Sequence, residues 1–247
     1  MSEDRILLDP LLPALKVPES GGSPSLAKFF FDPKMFFKAL DIRPGWVKAF
    51  MIASAIMMLT IVISIPLLIH TATQQLPNMS PDRQQELIST LRVSQYIGIL
   101  FSPVVFLLKI SIGAYVLWVL SIFCGADLPF RKVLSLVSYV SIIPVLDRLA
   151  GYSLNYLSNV DSIENAEQIR STFLSVSSFV NLSGHPALRA LADNCDLFAL
   201  WYLTLLVIGL AVIGRFSQAK STGIVSIFFF IQLIFALGTS VLFTKGV

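Results

Sequence analysis

The chain has 247 residues, of which 55% are hydrophobic and 13% charged, with a formal net charge of +3 and a mean hydropathy of +0.77. A soluble domain carries about a quarter charged residues, so that class is excluded, and so small a charge, with no basic stripe away from the apolar runs, excludes a nucleic-acid partner. The apolar runs are roughly 20 residues long, about what a helix needs to cross 30 Å of hydrocarbon. Lipid offers backbone polar groups no partner and a barrel would read as short alternating segments, so these runs are helices and the bilayer is the first partner.

Residues 1–28 read as a flexible cytoplasmic tail. Glu3, Asp4 and Asp9 with Pro10 and Pro13 break any continuous apolar core, so no cleaved signal peptide is expected, and Gly21, Gly22, Ser23 and Ser25 make a linker. The apolar stretch 6–15 has the character of a docking peptide. Residues 29–45 form an amphipathic segment: Asp32 and Pro33 signal a helix start, with Phe29, Phe30, Phe31, Phe36 and Phe37 expected to sink into the acyl boundary while Lys34 and Lys38 meet anionic headgroups. Arg43, Pro44 and Gly45 turn the chain into the first span at Trp46.

From there, residues 46–247 form the membrane domain, with spans expected at 46–69, 97–123, 133–150, 197–214 and 222–243. Ser80 and Pro81 start a helix that runs on into the second span. Spans two and three make one tight hairpin, spans four and five another, and residues 151–196 are a long outer connection. Within that connection Asp161 and Glu164 resemble a capping box for an amphipathic helix. Eight Lys and Arg residues (Lys34, Lys38, Arg43, Lys48, Arg131, Lys132, Arg215, Lys220) flank the spans on one side, against five spread over longer segments on the other. The N-terminus is therefore expected in the cytoplasm and the C-terminus outside. That orientation puts Cys124 and Cys195 on opposite sides of the bilayer, where they cannot pair. The expected fold is an all-α polytopic membrane bundle of about five transmembrane helices.

Several stretches resemble the YIP family of Ypt/Rab-interacting five-span membrane proteins, in particular its prokaryotic-type members. FFDPKMFFKALDIRPGW, with Pro33 and Trp46, is similar to the family's phenylalanine- and proline-containing stretch before the first span. GADLPFRK leads into SLVSYVSIIP, where Tyr139 stands five residues before Pro144, and LFALWYLTLLVIGLAV carries Trp201 and Gly209 ahead of RFSQAKS. The resemblance covers roughly residues 29–243. It implies a non-enzymatic integral membrane protein, a membrane-organising scaffold or adaptor for protein partners, sited for a prokaryotic-type member in the bacterial cytoplasmic (inner) membrane. The chain lacks the acidic DLYGP-like stretch of eukaryotic members, which argues against Rab-type GTPase binding.

Charges within spans mark candidate sites, since each costs roughly 2.5–3.5 kcal/mol to insert at mid-bilayer. Lys109 lies at the middle of the second span, and Asp147 and Arg148 lie one turn from the outer end of the third. Lys109 is fourteen residues before Phe123 and Asp147 fourteen after Val133, so both stand about 21 Å from the intervening loop. A level pair has three readings: a buried ion pair fixing helix register, a polar pathway in a transporter or permease subunit, and a contact with a membrane-protein partner or a second copy of the chain. No spacing of His70, His185, Cys195, Asp193 and Asp196 suits a metal, and no nucleophile elbow, HExxH or phosphate loop occurs, so neither cofactor nor catalytic residue is expected.

Overall fold

The computed structural model describes residues 25–74, 80–157, 192 and 196–244. The 1–24 tail, the 161–164 capping box and Cys195 lie outside the described residues. A short helix α1 (Leu26–Phe31) precedes α2 (Pro33–Ile42), and Asp32 punctuates them. Its backbone N–H donates to the Lys28 carbonyl at 2.9 Å, while its carboxylate accepts from the Met35 N–H at 3.1 Å, with Pro33 at the first position of α2.

The first long helix, α3 (Trp46–Gln74), follows the Pro44–Gly45 turn. Next, α4 (Pro81–Phe123) runs unbroken for 43 residues, so the second span and its outer extension are one rod. It passes through Pro103, whose missing N–H would otherwise bond the Ile99 carbonyl. The Ser102 hydroxyl donates to that carbonyl at 2.9 Å instead. The rod ends at Gly125, whose φ of +81° suits only a residue without Cβ. The Trp118 indole N–H then pins the loop by donating to the Leu128 carbonyl at 2.8 Å.

The third apolar stretch divides into α5 (Phe130–Val140) and α6 (Ile142–Leu157), separated at Ser141. Pro144 explains the break: it has no N–H for the Val140 carbonyl, and its ring crowds that carbonyl. After the long connection, α7 (Leu197–Ile213) is capped by the Asp196 carboxylate, which accepts from the Ala199 N–H. A tight turn at Gly214 and Arg215 leads to α8 (Gln218–Thr244).

Among the described residues, four stretches, Trp46–Thr73, Asp82–Phe123, Phe130–Asn155 and Gln218–Phe235, are long and apolar enough to cross a membrane, and α7 is a shorter apolar helix of 17 residues. The chain is a polytopic helical bundle with α5 at its centre. Helices α2, α3, α4 and α7 surround α5, whose residues from Ser135 to Val140 are all buried. Its two serines satisfy themselves along the helix, Ser135 donating to the Arg131 carbonyl at 2.8 Å and Ser138 to that of Leu134 at 2.7 Å.

Candidate functional site

Helix α2 does not present its phenylalanines to lipid. It packs against α7 and α5, and Phe29, Phe36 and Phe37 are fully buried in the core. Of the aromatic residues expected at the membrane interface, Phe30 at 37% and Phe31 at 90% exposure keep an outward face, together with exposed Lys34 and Lys38. Lipid tails are as apolar as a protein core, so hydrophobicity alone does not choose between them; close packing does. Phe36 meets Tyr139 edge-on at 4.9 Å and 75°, and Phe37 at 5.5 Å and 80°. Phe29 closes the cluster on Phe36 at 5.3 Å. Such pairs contribute about 0.5–1.5 kcal/mol each beyond the area they bury.

Gly209 on α7 makes the socket possible. A Cβ there would lie 2.2 Å from Leu136 Cδ1 and 3.2 Å from two atoms of the Phe37 ring. Two of the sequence-marked residues, Tyr139 and Gly209, thus form the walls that receive the pre-membrane phenylalanines. Pro33 starts the helix that carries them, Trp46 begins α3, and Pro144 sets the α5–α6 break. Trp201 lies apart, lining with Phe30, Ile143, Leu146 and Phe198 an apolar groove of about 400 Å³ between α6 and α7.

A contact not anticipated from the sequence fastens the segment. Asp41 at the end of α2 forms an ion pair with Lys132 of α5, 91 positions away. Lys132 was visible as a cation flanking an apolar run, but only the docking of α2 brings Asp41 to it. Beside this pair opens a cavity of about 450 Å³ lined by Leu40, Arg43, Pro44, Gly45, Val47, Lys48, Arg131 and Tyr139.

Lys109 and Asp147 do not form the expected pair. Lys109 is exposed on the outward face of α4, among Val105, Leu108 and Ile112, which are also exposed. Asp147 is partly buried on α6 and Arg148 is exposed there. Among the described residues no ion pair joins Lys109 to Asp147, and one Asp147 carboxylate oxygen is buried without a hydrogen-bond partner. Axial counting addresses height along a continuous hairpin only. It did not set their azimuths, and the interruption at Ser141 shifts the face on which everything after it points.

Among the described residues no group of three or more His, Cys, Asp or Glu gathers as a metal site would require. In comparisons with known proteins, the family described as the Yip1 domain matches residues 27–240. No curated protein and no solved structure matches the chain.

Proposed function

The chain belongs to the Yip1 domain family, and from that premise we propose that this integral membrane protein is a non-enzymatic scaffold or adaptor of the bacterial cytoplasmic membrane that docks another membrane protein along α4. The observation that carries this reading is the exposed apolar face of α4, which runs from Val93 through Leu100, Val104, Leu108 and Ile112 to Tyr115 with Lys109 in its midst. A face meant only for lipid gains nothing from a cation, which costs roughly 2.5–3.5 kcal/mol at mid-bilayer. An acidic side chain on a neighbouring transmembrane helix offsets that cost and sets the register of association. The partner is therefore a membrane protein with a carboxylate in a span, and a second copy of this chain is one way to supply it. The permease reading needs Lys109 and Asp147 to share a polar site, and the absence of an ion pair between them among the described residues weighs against it.

Photo-crosslinkers placed at Leu108 and Ile112 in membranes test the proposal. They are expected to capture a protein, and Lys109→Leu is expected to abolish the capture without lowering the thermal stability of the isolated chain. Crosslinks to lipid alone, or capture that Lys109→Leu leaves intact, would sink it.

A further inference from the structure

Among the described residues no ion pair engages Lys109 or Asp147, and one Asp147 carboxylate oxygen has no hydrogen-bond partner. Both residues lie in membrane-spanning stretches, Asp82–Phe123 and Phe130–Asn155, where a charge without a partner is costly. They also stand at one depth. Lys109 is close enough to Arg148, the residue after Asp147, for the two like charges to act on each other, so α4 at Lys109 and α6 at Asp147 are level to within the reach of those side chains. Each charge sits on an open face. Lys109 shares its side of α4 with exposed Leu108 and Ile112. On α6, Pro144, Arg148 and Leu154 are exposed at three positions before Asp147 and at one and seven after it, which by helical periodicity puts the partly exposed Asp147 on the outward face.

Two copies of one chain insert into a membrane in the same sense, so a two-fold axis relating them runs along the membrane normal and preserves depth. A cation on one copy then meets a carboxylate on the other only if the two residues are level within a single chain. Lys109 and Asp147 satisfy that condition. We propose that a second copy of this chain is the partner, Lys109 of each copy pairing with Asp147 of the other across a two-fold interface made by the outward faces of α4 and α6. The inference rests on the reading that α4 docks a membrane protein, and it names that protein. The difference in facing that keeps the two groups apart within one chain leaves both available to a second. The arriving carboxylate also relieves the opposition between Lys109 and Arg148, and the exposed apolar residues of α4 around Lys109 supply the rest of the contact.

The test uses two differently labelled full-length copies, read by co-purification and by energy transfer between them as the lipid-to-protein ratio is raised. Wild-type copies are expected to associate. K109D leaves two carboxylates at each contact and D147K leaves two lysines, so either variant alone is expected to self-associate at least about tenfold more weakly, the scale of one charge-assisted hydrogen bond. K109D mixed with D147K restores opposite charges at both contacts and is expected to associate as wild type does. Should D147K fail to fold, K109C and D147C copies in a C124S/C195S background carry the same expectation: a disulfide joins the mixed copies, while Lys109 and Asp147 still hold the other contact. Wild-type copies that do not associate overturn the proposal, and if the crosslinkers at Leu108 nevertheless capture a different protein, the docking reading stands without it. Single variants that self-associate as well as wild type, or a mixture that does not recover, overturn the reciprocal pairing.

Discussion

Gly209→Ala is the sharpest probe of the docked phenylalanine segment. The added methyl would sit 2.2 Å from Leu136 Cδ1, where ordinary van der Waals contact begins at 3.4 Å, and 3.2 Å from both Cε1 and Cζ of Phe37. Leu136 and Phe37 are fully buried, so neither can swing into open space. Either α7 retreats from α5 or Phe37 is driven out of its socket. Overpacking of this kind costs about 1–3 kcal/mol. Thermal unfolding followed by the fluorescence of Trp46, Trp118 and Trp201 measures the loss, and limited trypsin digestion at exposed Lys34 and Lys38 reports whether α2 has come loose. The Leu136→Ala background supplies the control. Deleting Cδ1 removes the nearest clash, so Gly209→Ala should then cost less than about 1 kcal/mol, a coupling within the usual range for residues in contact. An equal cost in both backgrounds would refute the packing argument.

The Asp41–Lys132 pair is partly screened, its side chains being 22% and 26% exposed, so Asp41→Asn should lower stability by about 1 kcal/mol. The exchanged pair Asp41→Lys with Lys132→Asp should recover part of that loss; no recovery would mean that the charges do not interact. Arg215 is held at φ +53°, a left-handed conformation that costs a side-chain-bearing residue about 1–2 kcal/mol. Arg215→Gly should therefore raise the melting temperature, and a lowered one would show that the guanidinium contributes more than the backbone loses.

The apolar stretches and their order were readable because a membrane-spanning helix needs a long uninterrupted run, and few polar residues intrude on these. The α4 start was readable from Ser80 and Pro81, and the α2 start from Asp32 and Pro33. What Phe36 and Phe37 would touch was not. An amphipathic face states that it seeks an apolar surface, and a bilayer and a socket walled by Tyr139 and Gly209 satisfy that demand equally in sequence terms. The signal that could have separated them was a glycine in a strongly apolar helix, which marks close approach by something bulky. Asp41 and Lys132 were beyond reach for the same reason, since their meeting depends on the docking. Lys109 and Asp147 show the complementary limit: counting residues gives depth, whereas facing depends on the helical phase, which Pro144 resets.

The length of α4 has a consequence of its own. At 1.5 Å per residue its 43 residues extend about 65 Å, while a bilayer with its headgroups is about 40–45 Å thick. Standing normal to the bilayer with the 124–129 loop at one surface, the rod projects roughly 20 Å beyond the other, and the residues at that end, Asp82 to Glu86, are suitably polar. A stiff post of that height rooted in a packed bundle works as a lever: a small tilt of the embedded part sweeps its tip sideways by an appreciable distance. It is also a spacer, holding whatever meets the tip clear of the lipid surface.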